Sequence, residues 1–86
     1  MLFRSSRVLI VEDNDINLQL AEELLIDVGI QFSTARNGLE ALNKVSSEQF
    51  DAVLMDIQMP EMSGLDLLTK VKELDPEMVM VMITAF

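Results

Sequence analysis

Three short apolar runs constrain the fold of this chain more than any other feature. They are Val8–Val11, Ala52–Met55 and Met78–Ile83, each too short for a buried helix. The segments between them carry helical periodicity. Because strands that alternate with helices pair in parallel through right-handed crossovers, the sequence predicts a single α/β domain with a parallel sheet covered on both faces.

The first helix is predicted from an apolar stripe with four-residue spacing, which is typical of a helix packed on a core. The stripe consists of Ile16, Leu20, Leu24 and Val28, with Ala21 and Leu25 beside it. Asn14 or Asp15 can cap the start of this helix. Gly29 can end it in a left-handed turn.

The remaining elements follow the same alternation. Residues 30–35 alternate between apolar and polar side chains, which predicts a strand at a sheet edge or under thin cover. A second helix begins near Asn37. A third helix begins at a capping box that opens with Ser63, and Asp75-Pro76 ends this helix. The apolar positions expected on these two helices are Leu39, Leu42, Val45, Leu67, Leu68, Val71 and Leu74.

The last apolar run, Met78–Ile83, predicts a strand inside the sheet, because six apolar residues in a row do not suit an edge. No later segment of this chain can pair with its second side. The pattern therefore predicts that a neighbouring strand is missing or comes from another chain.

Acidic and hydroxyl side chains follow three of the predicted strands. Glu12 and Asp13 follow the first, Asp56 follows the second, and Thr84 follows the last. Sites in parallel sheets lie beyond the carboxyl ends of the strands, so these residues are expected to converge. Magnesium prefers such oxygen ligands, and the backbone carbonyl of Gln58 can add one more. A carboxylate is also a nucleophile toward phosphorus.

Each of these residues has an ordinary structural alternative when it is taken alone. A single Asp after a strand is usually a turn or cap residue, and Asp13 can simply favour a helix dipole. The joint occurrence at corresponding strand ends favours a metal and phosphoryl site.

Composition excludes several classes of function. Six basic residues against fifteen acidic ones give a net charge of −9, so nucleic acid is not an expected partner. The chain has no cysteine and no histidine, which excludes thiol chemistry and an imidazole base. No apolar stretch reaches the roughly 20 residues of a membrane span, and no signal peptide is evident. A cytoplasmic domain that does not contact membranes is expected.

Four segments of the sequence resemble the receiver domains of two-component response regulators, and in particular those attached to hybrid sensor kinases. The matching segments are Val8–Asn14, Asn37–Leu42, Val53–Gly64 and Ile83–Ala85. The resemblance implies a flavodoxin-like fold with strand order 2-1-3-4, in which the fifth strand and the last two helices are absent. It also implies a leader of residues 1–6 and an incomplete receiver domain of residues 7–86.

The resemblance assigns roles to the residues at the strand ends. Asp56 would accept a phosphoryl group from a phosphohistidine on a histidine kinase or a histidine phosphotransfer domain. Magnesium, or manganese, would be held by Glu12, Asp13, Asp56 and the Gln58 carbonyl. Thr84 would hydrogen-bond the phosphoryl group as a switch residue. Such a domain is a signalling acceptor and not an enzyme.

Departures from the family pattern leave a second function open. Ser63 stands where Asp is frequent, and the chain ends before the family's phosphoryl-contacting lysine and aromatic switch residue. The alternative is a truncated receiver that no longer signals and self-associates, as a homodimer, through its exposed fourth strand.

Two further classes fit poorly. A phosphatase or mutase with an aspartyl nucleophile resembles Asp-x-Asp, in which the second acid protonates the leaving group. Gln58 occupies that second position here. A dinucleotide site fails because the segment after the first strand lacks glycines and is acidic.

Overall fold

The computed structural model describes residues 7–56 and 64–83, with Asp56, Leu65, Met82 and Ile83 described by their backbones alone. Strands and helices alternate along the chain, as predicted. They are β1 (Arg7–Val11), α1 (Asp15–Val28), β2 (Gln31–Ala35), α2 (Gly38–Ser47), β3 (Ala52–Asp56), α3 (Gly64–Leu74) and β4 (Val79–Ile83). The four strands form one parallel sheet in the order β2-β1-β3-β4. The predicted α/β class and strand order are confirmed.

One face of the sheet is covered by α2 and α3. Its central side chains are completely buried, and three helical residues pack on them. The strand residues are Leu9, Val11, Val53 and Met55, and the helical residues are Ala41, Leu67 and Val71. Burial of each large apolar side chain contributes about 1.5–3 kcal/mol, so this cluster supplies much of the stabilising free energy.

The opposite face is covered by α1, but not through the stripe that the spacing indicated. Leu18 and Leu25 pack on Val8 and Ile10, with Ala21 beside them. The predicted stripe of Ile16, Leu20, Leu24 and Val28 is 56–69% exposed. The prediction was wrong because α1 carries apolar residues on two sides. The sheet takes the side spaced at three and four residues, and four-residue spacing alone cannot distinguish them.

The apolar positions of α2 and α3 are confirmed in their centres and wrong at two ends. Leu42 and Val45 pack against the core, and Leu67 and Val71 are fully buried. Leu39 in the first turn of α2 and Leu74 at the end of α3 are exposed instead. Helix ends project past the edge of the sheet, so an apolar residue there has less surface to cover it.

The two outer strands of the described sheet differ from each other. β2 lies at an edge, as its alternating pattern predicted. β4 pairs with β3, as predicted, and among the described residues its other side has no partner strand, so it forms the second edge. Val79 and Val81 of β4 are 56% and 43% exposed. They pair in parallel register with Ala52 and Leu54, so they extend the α1 side of the sheet beyond its cover.

The ends of α1 follow their predicted signals. Asn14 is the N-cap, and its side chain accepts hydrogen bonds from the N–H groups of Ile16 and Asn17. Gly29 ends the helix with a φ of 77°, a left-handed conformation that favours glycine. The cap predicted at Ser63 lies outside the described residues. Within residues 7–56 and 64–83, no helix is long and apolar enough to cross a membrane.

Candidate functional site

The carboxyl ends of β1 and β3 lie side by side at one edge of the sheet. Val11 pairs with Met55, so Glu12 is level with Asp56 on the neighbouring strand. Adjacent strands lie about 5 Å apart, which sets the distance between their backbones at this point. Asp56 pairs in turn with Ile83 of β4. The expectation that the carboxyl ends of β1 and β3 lie next to each other is therefore confirmed for the backbone.

Glu12 is a buried acidic residue at this edge, with 2% of its surface exposed. Its backbone N–H donates to the carbonyl of Ala35 at 3.0 Å, which continues the pairing of β1 with β2 by one residue. Its Oε1 accepts a hydrogen bond from the N–H of Asn14 at 3.0 Å. A buried carboxylate is costly unless hydrogen bonds or a cation compensate it, and the N–H of Asn14 supplies part of that compensation.

Asp13 lies in the bend that connects β1 to α1, and it is exposed. Its backbone carbonyl accepts a hydrogen bond from Arg36 Nη2 at 3.5 Å. The same guanidinium forms an ion pair with the carboxylate of Asp15. The bend is thus tied to the residue that follows β2, at the same edge of the sheet as Glu12.

Gln58 and Thr84 lie outside the described residues, and so does the side chain of Asp56. Among the side chains that are described, which include Glu12 and Asp13, no group of three His, Cys, Asp or Glu residues is arranged to hold a metal ion.

The donors at this edge fit magnesium in their chemistry. Glu12 supplies a buried carboxylate and Asp13 an exposed one, on consecutive residues after β1. Magnesium takes oxygen ligands, keeps several waters and is usually held by one or two carboxylates with phosphate oxygens. The exposure of Asp13 leaves room for such waters and for a phosphoryl group.

Arg36 is a residue that sequence reasoning missed. Its backbone N–H donates to Glu40 Oε1 at 3.2 Å, while its guanidinium reaches the acidic bend. It therefore connects the start of α2 to the start of α1. The signal was available, because Arg36 directly follows β2 and so belongs to the carboxyl edge of the sheet.

Comparison with known proteins identifies the family. The response regulator receiver domain family matches residues 8–86. The chain belongs to the response-regulator receiver domains. It is thus a signalling domain of two-component phosphorelay systems, as its sequence motifs indicated.

Curated relatives of this receiver include both hybrid kinases and separate regulators. It is 44% identical over 69 residues to hybrid signal transduction histidine kinase B of Dictyostelium discoideum, covering 80% of this chain and 4% of that protein. It is 44% identical over 68 residues to the polar-differentiation response regulator DivK of Brucella anthropi, covering 79% of this chain and 55% of DivK. The receiver therefore spans only part of the relatives that it matches.

Solved receiver structures match the fold closely. The regulator TrrA of Thermotoga maritima, in complex with Mg(2+)-BeF, has a TM-score of 0.89 and 34% identity, covering 94% of this chain and 70% of that chain. The co-crystal structure of Ypd1 and the Ssk1 receiver domain of Saccharomyces cerevisiae has a TM-score of 0.86 and 28% identity. It covers 100% of this chain and 68% of the matched one. These matches confirm the flavodoxin-like fold.

Proposed function

We propose that this receiver takes a phosphoryl group from a phosphohistidine onto Asp56, with magnesium held by Glu12, Asp13, Asp56 and the Gln58 carbonyl. Thr84 then hydrogen-bonds a phosphoryl oxygen. The observation that carries the proposal is the register of β1 and β3, which sets the buried Glu12 level with Asp56. The unit that acts comprises residues 7–86, preceded by the leader of residues 1–6.

The chemical step is a transfer between two nucleophiles. A carboxylate oxygen of Asp56 forms a bond to phosphorus as the bond from phosphorus to the donor imidazole nitrogen breaks. The products are an aspartyl phosphate on this chain and a neutral histidine on the donor, so the reaction needs no oxidant or reductant. Bound magnesium, or manganese, would supply charge neutralisation between the anionic carboxylate and the anionic phosphoryl group. The domain acts as an acceptor and not as an enzyme with turnover.

The partner that we propose is a histidine kinase or a histidine phosphotransfer domain. Two of the similar structures are complexes of this kind, one with the histidine kinase ThkA and one with the phosphotransfer protein Ypd1. The chain has no cysteine, which suits a cytoplasmic setting for such an encounter.

The exposed stripe of α1 offers this partner a contact surface. It begins at Ile16, four residues after Glu12, and Leu20 and Leu24 continue it along the helix. Glu23 and Asp27, both exposed, lie on the same helix. A donor that brings phosphohistidine to the carboxyl edge would therefore meet apolar side chains with an acidic border. We propose that it presents an apolar helical face bordered by basic residues.

Site mapping tests the proposed acceptor. The chain is incubated with magnesium and acetyl phosphate, reduced with borohydride to convert an acyl phosphate into homoserine, and digested for mass spectrometry. We expect the conversion at Asp56 and its loss in Asp56→Asn. Conversion at another acidic residue, or none in the unchanged chain, would contradict the proposal.

The contact surface has its own test, with a matched control. Leu20→Ala should weaken binding to a phosphotransfer domain about tenfold, the usual scale for an apolar residue inside an interface. Leu39→Ala removes an equally exposed leucine from α2 and should leave affinity unchanged. Equal affinities for both variants would exclude α1 as the contact surface.

We propose a second function for the case in which signalling is lost, namely self-association through β4. This strand forms an edge of the described sheet, and its Val79 and Val81 are exposed. An edge strand with apolar, uncharged side chains favours pairing with another strand. The net charge of −9 on each copy opposes it, so association should strengthen as salt is added.

Light scattering distinguishes these two functions. A dimer whose mass is unaffected by acetyl phosphate, and which dissociates in Val81→Lys, would favour the assembly module. A monomer at all salt concentrations would exclude it.

A further inference from the structure

Asn14 links the candidate metal site to the first turn of α1. Its backbone N–H donates to Glu12 Oε1 at 3.0 Å. Its side-chain Oδ1 accepts from the N–H of Ile16 at 2.9 Å and from that of Asn17 at 3.0 Å. One residue thus holds both the buried carboxylate and the start of the helix.

A second asparagine in the structure has only one of these two roles. Asn37 is the N-cap of α2, and its Oδ1 accepts from the N–H of Glu40 at 2.8 Å. The residue two positions before Asn37 is Ala35, whereas the residue two positions before Asn14 is Glu12. The two caps are therefore a matched pair in which only Asn14 contacts an acidic site residue.

We infer that Asn14 is a positioning residue that orients Glu12 toward magnesium. The cap fixes the backbone of Asn14, because its side chain is held by two N–H groups of a helix that packs on the sheet. The fixed N–H then holds Oε1 of Glu12 in one place. This inference rests on the proposed function, in which Glu12 is a magnesium ligand.

Glu12 can accept the hydrogen bond from Asn14 and bind magnesium at the same time. A carboxylate has two oxygens with about four lone-pair sites, so a hydrogen bond to Oε1 does not use up its capacity. A glutamate side chain loses rotamer entropy when it is ordered. Asn14 orders the Glu12 side chain before the metal binds, so less side-chain entropy is lost on binding. Groups that orient ligands in this way influence metal affinity strongly.

The coupling must also act in reverse, because linkage between two sites is reciprocal. Magnesium that orders Glu12 should hold the Asn14 N–H and thereby stabilise the first turn of α1. The amides of Ile16 and Asn17 should then exchange with solvent more slowly when magnesium is added. The amide of Glu40, held by the other cap, should not respond.

The test compares Asn14→Gly with Asn37→Gly in the 86-residue chain, with magnesium binding measured by calorimetry. Glycine is chosen because it is the mildest replacement for a capping asparagine, so both variants should fold. We expect Asn14→Gly to raise the magnesium Kd about tenfold, the low end of the range for lost orienting groups. Asn37→Gly should leave the Kd within about twofold of the unchanged chain. Asn14→Ser, which restores a capping oxygen, should recover the affinity.

Two other results would overturn the inference, and they are distinguishable. Equal Kd values for Asn14→Gly and Asn37→Gly, with equal exchange at Ile16 and Glu40, would make Asn14 an ordinary cap while leaving the proposed function intact. A magnesium affinity of the unchanged chain that Glu12→Gln does not alter would remove Glu12 from the metal site. The proposed ligand set and the inference would then fail together.

Discussion

The two faces of the sheet differ in how completely they are covered. On the α2 and α3 side, Leu9, Val53 and Met55 are fully buried. On the α1 side, Val8 and Ile10 of β1 are buried, but Val79 and Val81 of the edge strand β4 are roughly half exposed. The first face is a closed core, whereas the second combines a core with an apolar surface that remains open.

The difference shows that different apolar residues of this domain stabilise the fold and are available for binding a partner. Apolar side chains that touch many neighbours contribute to folding, while those left exposed gain nothing until a partner covers them. The exposed stripe of α1 is a further open apolar surface, on the outward side of the helix that covers this face. Variants of buried residues on either face should therefore change unfolding, and variants of the exposed apolar residues on the α1 side should change association.

Leu67→Ala should have the largest effect, because it opens a cavity in the closed face. We expect a loss of about 3 kcal/mol in the free energy of unfolding, measured in urea. Leu24→Ala removes the same atoms from the exposed stripe and should cost no more than about 0.5 kcal/mol. Similar losses in the two variants would contradict the assigned difference between the faces.

Leu25→Ala should have an intermediate effect. This residue is 7% exposed and belongs to the smaller cluster under α1. Its removal should cost about 2 kcal/mol, since the surroundings are nearer the surface and can relax. The loss in the free energy of unfolding is measured by amide hydrogen exchange in β1 and α1. A loss larger than that of Leu67→Ala would show that the α1 face is the main core.

Glu48→Gln should have a smaller effect, at the opposite end of the sheet from the candidate site. Glu48 pairs with Arg7 at 2.6 Å, and Arg7 lies 5.0 Å from the centre of the Phe50 ring. Both charges are about one-third exposed, so the pair should contribute only about 0.5 kcal/mol, and less at high salt. Urea unfolding at two salt concentrations measures it. A loss above about 2 kcal/mol would indicate an important structural pair.

Val81→Thr should have the smallest effect on unfolding, within about 0.5 kcal/mol. The variant is informative because its effect on self-association should be larger than its effect on unfolding. If the open face drives self-association through β4, this nearly isosteric change should reduce the dimer fraction seen by sedimentation. An unchanged dimer fraction would show that association, where present, uses another surface.

Much of this fold could be predicted because its signals are local. The apolar runs identified three of the strands, and Gly29 marked the end of α1 by the backbone conformation that glycine permits. The edge position of β2 followed from its alternating side chains. Each of these features depends on a few neighbouring residues.

The errors arose where tertiary contact decides. Leu18 and Leu25 face the sheet while Leu20 and Leu24 face outward, although both pairs are apolar. Nothing in the helix itself selects between two such sides. The position of β4 beside β3 was predicted correctly, and so was the absence of a partner strand on its other side, which holds among the described residues.

The candidate site was predictable in placement but not in its connections. Glu12 and Asp56 could be placed at one edge, because strand pairing determines the position of residues that follow the strands. The contact of the Arg36 guanidinium with the Asp13 carbonyl depends on how two loops approach each other. Sequence spacing does not encode that approach.

The most direct test of the account is the intact mass of the chain after incubation with acetyl phosphate, with and without magnesium. The account predicts one added phosphoryl group that requires magnesium, is absent in Asp56→Asn and is much reduced in Glu12→Gln. Asp27→Asn, which removes an exposed acidic charge from α1, serves as the control and should be phosphorylated normally. Phosphorylation that is independent of magnesium, or that persists unchanged in Glu12→Gln, would contradict the site as it is assigned.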